Sequence, residues 1–440
     1  MNKPKTVAFH TLGCKVNQYD TQAMLELFRA AGYEVVPFSG PADVYVLNTC
    51  TVTGSGDKKS MQLARRLRRE HPDSQLILCG CLAQRKGDAL LETGARLILG
   101  TQRRSEVVTL LEEALRENVQ LCRVEPLTGP VPFERLAVTD QEEHTRATLK
   151  IQEGCNNRCT YCIIPSVRGP IRSRPLPEVA EEAARLARAG FTELVLTGIH
   201  LSSYGRDIRD GTTLLDAIEA VQAVPDVRRI RLGSLEPTVV TPDFARRLAG
   251  MDKVCPQFHL ALQSGSDGVL RRMARQYNTS QYLRAVETLR AAFPRAAFTT
   301  DVLTGFPGET EAEYEETRAM IRRVGFAKIH VFPYSPREGT KAAAMPEQLT
   351  PALKETRARA LIALGNETAL AYQREWLGQT VQVLLETPTP EGWNGFTPEY
   401  IQVTVPDCPA CRPGAMVAVQ LTALAPEGLR GNIVAEAVLP

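Results

Sequence analysis

The chain has 440 residues, 43% of them hydrophobic, and a net charge of +2. That length suits a large buried core divided among two or three domains, and so small a charge excludes a global electrostatic field as the basis of nucleic-acid contact, which must rest on local basic patches. The opening "MNKPKTVAFH" lacks an apolar signal core and no run approaches the roughly 20 apolar residues of a membrane span, so we expect a cytoplasmic protein with no membrane partner.

From Thr6 to about residue 125, "TVAFH", "VYVLN" and "QLILC" read as strands separated by amphipathic stretches such as "TQAMLELFRAAG". This alternation predicts a small parallel α/β sheet domain over residues 1–125. The proline-rich and then charged segment 126–146 reads as a linker. A second series follows, with strands "ATLKIQ", "ELVLTG", "RIRLGS", "QFHLAL", "FTTDVL" and "KIHVFP", each trailed by a helical pattern. Six β/α units predict an open, partial barrel, since the common closed one takes eight; with a long terminal helix it occupies 147–374. Residues 375–440 carry strand-like runs between Gly/Pro turns ("QTVQVLLET", "YIQVTV", "AMVAVQLTAL"), the pattern of a small antiparallel β-barrel.

The chemistry-bearing pattern is "QEGCNNRCTYC". The 11 cysteines cluster in a long chain without a secretion signal, which favours metal ligation over a disulfide framework. The six histidines show no short mutual spacing, against zinc bound by Cys/His pairs. Cys155, Cys159 and Cys162 lie at the carboxyl end of the first barrel strand, the edge where barrel enzymes do their chemistry. Thiolates hold iron–sulfur cubes one per iron, so three leave one iron open, and an open position marks a catalytic metal rather than a structural one.

This C-x3-C-x2-C resembles the radical S-adenosylmethionine superfamily. The resemblance implies that S-adenosylmethionine chelates the open iron and is cleaved reductively to a 5′-deoxyadenosyl radical, the cofactor carrying the difficult chemistry. Tyr161 occupies the aromatic position beside the last ligand. Successive strand ends then form a cofactor bowl: Gly198 and His200 in "LTGIH", Ser234 and Glu236 in "GSLEP", Gln263 and Ser264 in "LQSGSD", and "TGFPGET". Glycines permit close approach, while Ser234 and Glu236 suit ribose hydroxyls. Thr310 with Glu313 forms a capping box, which accounts for part of the last segment.

Cys14, Cys50 and Cys81 each follow an apolar run of the first domain. If those runs are parallel strands, the three thiols converge on one edge and make a second three-cysteine cube with an open iron. "LILCGC" offers Cys79 as well; we favour Cys81 because Cys79 falls inside the apolar run, as a buried hydrophobe would.

Two open-iron clusters on one chain resemble the methylthiotransferases, whose domain order (cluster domain, radical domain, RNA-binding TRAM barrel) covers essentially the whole sequence. "TLGCKVNQYDT" resembles the MtaB branch, which acts on N6-threonylcarbamoyladenosine in tRNA; "NTCTVT", "QEGCNNRCTYCIIPSVRGPIRSR" and "FPYSPREGT" agree. The resemblance implies methylthiolation of carbon 2 of the adenine at tRNA position 37, beside the anticodon. The Cys14/Cys50/Cys81 cluster would hold the sulfur that one S-adenosylmethionine methylates, and the Cys155/Cys159/Cys162 cluster would cleave a second to take the hydrogen. An external electron donor and a monomeric enzyme are expected. Other branches act on isopentenyladenosine or a ribosomal-protein aspartate; a non-catalytic alternative is an RNA-binding iron–sulfur redox sensor.

For RNA contact, "KKSMQLARRLRR" offers six basic residues on one helix. Arg168, Arg172 and Arg174 suit phosphate or a cofactor carboxylate, with Arg174 the cofactor candidate. Phe332, Tyr334, Phe396 and Tyr400 are candidates for base stacking. Cys408 and Cys411 lack a second pair and read as non-ligands, Cys122 and Cys255 as packing.

Overall fold

The computed structural model describes residues 5–129, 131–138, 145–409 and 411–435. Its first sheet is wholly parallel and six-stranded: β1 (Thr6–Thr11), β2 (Glu34–Val35), β3 (Val44–Thr49), β4 (Gln75–Gly80), β5 (Leu97–Leu99) and β6 (Leu121–Arg123), in the order β2-β1-β3-β4-β5-β6. Helices α1 (Lys15–Ala30), α2 (Gly54–Glu70), α3 (Cys81–Lys86) and α4 (Val107–Arg116) cover it. Every residue of β3 is buried, as a parallel strand packed on both faces must be.

The six expected strands of the second series are present as β7 (Arg146–Glu153), then, after a two-residue antiparallel β8 (Arg172–Ser173), β9 (Glu193–Gly198), β10 (Arg229–Leu232), β11 (Gln257–His259), β12 (Ala297–Thr304) and β13 (Lys328–Pro333). They form two sheets, β10-β9-β7-β8 and β11-β12-β13. Two single parallel bridges, Ile230 to Val254 and Leu235 to Leu260, join the sheets into one open half-barrel. Ala147, Leu149 and Ile151 of β7 pack outward into the largest apolar core. By the period of two, Thr148, Lys150 and Gln152 face the lumen. The helix Pro351–Arg374 lies against β13.

The last strands, β14 (Thr380–Thr389), β15 (Gly392–Phe396), β16 (Gln402–Val405), β17 (Met416–Ala425) and β18 (Gly428–Ala435), close into a barrel ordered β14-β15-β16-β18-β17. One pair, β16 with β18, is parallel, so the barrel is not purely antiparallel as expected. The segment expected to be a linker is packed where it is described: Leu136 and Val138 are buried in the central core, and Phe133 lies under the Lys150 and Arg174 cations. Residues 130 and 139–144, which include His144, lie outside the described residues.

Candidate active site

Both thiol sets stand at carboxyl strand edges, and local geometry explains why. Cys14 caps α1 after β1, Cys50 follows β3, and Cys81 begins α3 directly after β4. β1, β3 and β4 are adjacent and parallel, so their ends coincide. The turn into Cys81 needs Gly80, whose φ is +90° and whose absent Cβ would lie 2.3 Å from the Asn48 amide oxygen. A Cβ on Gly13 would meet the Cys50 sulfur at 3.3 Å, which brings the loops of Cys14 and Cys50 together. Cys79 instead points into the apolar core beneath α1 and α4, its sulfur 3.7 Å from the Leu47 carbonyl oxygen.

The second set sits on the loop after β7. Gly154, with φ +71°, tucks that loop against Pro170, and the Cys155 amide donates to the Gly169 carbonyl at 3.0 Å. The Cys162 amide donates to the Cys159 carbonyl, and the Asn157 amide lies 3.4 Å from the Cys155 sulfur. Tyr161 packs edge-on to Phe306, with ring centroids 6.4 Å apart.

One arginine donates to a sulfur in each set. Arg168, at the end of α5 (Ile164–Arg168), places Nε 3.2 Å from Cys81 Sγ; Arg275 places Nη1 3.2 Å from Cys159 Sγ. Burial pushes the Cys81 and Cys155 thiols up to about 11 and the Cys162 thiol up to about 12. Without a metal these buried groups remain protonated at neutral pH; metal ligation draws the protons off. Among the described residues no three His, Cys, Asp or Glu side chains close around a single metal ion. A four-iron cube takes one thiolate per iron and accepts a wider triangle. The donor sets, each all-sulfur, three-membered and supported by an arginine N–H, therefore fit two such cubes.

Next to the Cys155 loop, Glu236 is the hub of a polar network. Its carboxylate accepts from Arg275 Nη2 at 2.8 Å and Asn157 Nδ2 at 3.1 Å, and lies 3.1 Å from His200 Nε2. Burial alone would raise its carboxyl, but His200, Arg275 and Asn157 outweigh it and hold the group below the ordinary carboxylate range. The His200 amide donates to Gln152 Oε1 at 2.6 Å, its Nδ1 pairs with the Ser203 hydroxyl, and Gly198 packs on the Gln152 side chain. Ser234 is exposed at its strand end; Gln263 has φ +63° and exchanges backbone hydrogen bonds with β12. Asn157, Gln152 and Arg275 were missed. Asn157 lay inside the cysteine motif and was open to inspection, whereas Arg275 comes from a turn with no local signal.

The arginines after the cysteine loop, expected at phosphate or a cofactor carboxylate, are engaged with protein groups. Arg174 joins Glu182 at 2.6 Å, the Leu136 carbonyl and the Tyr19 hydroxyl, so its guanidinium ties α1 to the half-barrel, away from the bowl. Arg168 and Arg172 are buried; Arg168 meets Asp20 at 3.1 Å and Glu153 at 3.2 Å. Asp20 also contacts Lys150 at 2.6 Å and Arg104, and Lys150 reaches Glu153 at 2.6 Å. Of the stacking candidates, Tyr334 is buried, and Phe396 stacks on Tyr400 at 4.7 Å with Arg146 and Arg231 against the rings. Phe332 alone is open, at 44% exposure. Thr310 and Glu313 form the expected capping box. The Cys408 and Cys411 sulfurs lie 2.7 Å apart, without a third ligand among the described residues.

Residues 149–321 match the model of the Radical SAM superfamily, and residues 6–100 that of Uncharacterized protein family UPF0004. The threonylcarbamoyladenosine tRNA methylthiotransferase MtaB of Bacillus subtilis (strain 168) is 41% identical over 404 residues, 90% of either chain. The tRNA-2-methylthio-N(6)-dimethylallyladenosine synthase of Moorella thermoacetica is 37% identical over 440 residues, 98% of either chain. In fold, the radical S-adenosylmethionine methyltransferase TsrM from Kitasatospora setae is similar with a TM-score of 0.57, covering 78% of this chain and 77% of that one at 14% identity. No helix among the described residues is long and apolar enough to cross a membrane. The identity to MtaB across nine-tenths of both chains, with the thiol edges in place, means that this chain belongs to the radical S-adenosylmethionine methylthiotransferases and is an enzyme.

Proposed function

We propose that the chain modifies tRNA, methylthiolating carbon 2 of N6-threonylcarbamoyladenosine at position 37 to give 2-methylthio-N6-threonylcarbamoyladenosine. One 4Fe–4S cluster is held by Cys155, Cys159 and Cys162, a second by Cys14, Cys50 and Cys81, and electrons come from an external donor. The observation that carries this reading is the meeting of two three-thiol edges, each with an arginine donating to one sulfur. A structural cluster needs no second open-iron site beside it.

Cys155, Cys159 and Cys162 would hold a cluster that, with S-adenosylmethionine, would supply radical chemistry able to remove a hydrogen that no general base can. Glu236, held by Arg275, Asn157 and His200, presents a fixed acceptor beside that cluster for hydroxyl or ammonium donors. Arg168 connects the Cys81 sulfur to Glu153 at the end of β7, which fixes the auxiliary edge against the radical edge. α1 covers the lumen, and with RNA seated the site loses its remaining water, protecting a radical from quenching. α2, with Lys58, Lys59 and Arg65 outward, supplies phosphate contacts toward the anticodon loop.

The test is mass spectrometry of tRNA nucleosides after anaerobic incubation of reconstituted enzyme, reductant and S-adenosylmethionine with tRNA that carries threonylcarbamoyladenosine but no methylthio group. The methylthio product is expected. If 5′-deoxyadenosine forms without it, and isopentenyladenosine tRNA is modified instead, the substrate assignment fails while the chemistry stands.

A further inference from the structure

Lys15, the residue after Cys14, is in an unusual position for a lysine. Its side chain is exposed, yet it lines a cavity in the fold. That cavity, of about 170 Å³, lies between α1, the half-barrel and the C-terminal barrel, and is walled also by Gln18, Arg146, Thr148, Val195, Glu386 and Tyr400. Its other lining charges are committed to each other: Arg146 is paired with Glu386 at 2.5 Å. Among the described residues the Lys15 ammonium has no hydrogen-bond or ion-pair partner.

The field at the Tyr400 end is positive. Arg146, Lys15 and Arg231 outweigh burial and hold the Tyr400 phenol below its usual range. Across the lumen on β13, burial lowers His330, and Lys328, His259 and Lys15 lower it further against Asp301. An ammonium with three free N–H donors there is a ready partner for an anion. Apart from Val195, these walls offer hydroxyls, an amide and the Arg146–Glu386 ion pair rather than hydrocarbon.

We infer that Lys15 is a specificity residue that binds the carboxylate carried by the N6 substituent of the target adenine, selecting an anionic threonylcarbamoyl group over an isopentenyl group. This deepens the proposed function and rests on it. The substituent's carboxylate meets the ammonium, while its hydroxyl and ureido groups face Gln18, Thr148 and Tyr400. An isopentenyl group would leave Lys15 unpaired and place hydrocarbon against polar walls, a rejection by mismatch as much as by lost attraction. Because Lys15 follows Cys14 directly, the recognised group and the auxiliary cluster are fixed relative to each other by one peptide unit.

The experiment measures equilibrium binding of the holoenzyme, anaerobically and without S-adenosylmethionine, to fluorescent anticodon stem-loop RNAs. The RNAs carry threonylcarbamoyladenosine, its methyl ester, or isopentenyladenosine. Wild type is expected to bind the free acid roughly 10- to 100-fold more tightly than the ester, the range of one hydrogen bond to a charged group. Lys15→Met should bind the acid as weakly as wild type binds the ester and be indifferent to esterification, whereas Lys15→Arg should keep the preference. Equal wild-type binding of acid and ester overturns the inference, and that arm needs no variant to fold. Retained discrimination by Lys15→Met overturns it as well. Wild type that binds the isopentenyl RNA more tightly than the acid overturns the proposed substrate itself, a different result.

Discussion

Replacing Asp20 by Asn tests whether the buried charge cluster holds α1 against the half-barrel. The Asp20 carboxylate is about 1% exposed and meets Lys150 at 2.6 Å, Arg168 at 3.1 Å and Arg104. Hydrogen bonds to charged groups contribute about 1.5–3 kcal/mol each; three sum to roughly 4.5–9, and desolvation of the carboxylate offsets part of that. The amide keeps the shape and one acceptor but leaves three cations facing Glu153 and the more peripheral Glu134. A loss of about 3–5 kcal/mol is expected, as for other broken buried pairs. Urea unfolding of the holoenzyme is the assay; with a slope near 3 kcal/mol per M the midpoint should fall by on the order of 1 M. Acid adds a second signature. The cations outweigh burial and hold Asp20 below, and Glu153 well below, the ordinary carboxylate range. Their stabilisation is complete above the unfolded values of about 4 and is lost as pH falls through the depressed folded ones. The variant should therefore lose less stability than wild type on acidification. A midpoint within about 0.2 M of wild type, with an unchanged acid profile, would refute the reasoning.

Three further outcomes follow from the site. Cys81→Ala should lose about half of the bound iron, whereas Cys79→Ala should keep all of it and cost only about 1–2 kcal/mol as a small core truncation; iron and sulfide assays decide. Gly154→Ala, whose Cβ would lie 1.9 Å from the Pro170 carbonyl oxygen in a left-handed conformation, should lose the cluster on Cys155, Cys159 and Cys162 and retain the auxiliary one, read by the same assays. Arg275→Met removes an N–H from the Cys159 sulfur and the guanidinium from Glu236, so the midpoint potential of that cluster should fall, by about 60 mV for each 1.4 kcal/mol of lost stabilisation, in an electron-paramagnetic-resonance titration.

Long periodic strands and cysteine spacing were legible in the sequence because they are local. β3 and β4 are continuous apolar runs, and C-x3-C-x2-C requires no tertiary knowledge. β2, β5 and β6 are two or three residues long, too short to carry a period, and exist because the neighbouring strand offers a ladder. The choice of Cys81 over Cys79 rested on the position of Cys79 inside an apolar run, and Cys79 packs in the core of the first domain. Arg174 and the Phe396–Tyr400 pair were misread for one reason. Charge and aromaticity announce an interaction but not its partner, and here the partners are Glu182 and two arginines from distant strands. Arg275 and Asp20 lie in ordinary sequence; their importance arises only where separate elements meet.

The seat of the C-terminal barrel has a consequence for modularity. Arg229 donates to the Phe396 and Gln382 carbonyls, Arg231 to those of Pro398 and Thr397, and both pair with Glu193 at the amino ends of the half-barrel strands. These guanidinium groups are at once the floor of the half-barrel and the socket of the appended domain. Excising the C-terminal domain would unseal the catalytic lumen from below and leave Glu193 and two arginines to rearrange in water. A truncated enzyme that has lost activity would thus have lost two things together, its grip on RNA and the shape of its reaction chamber. The boundary that looks severable along the chain is not severable in space.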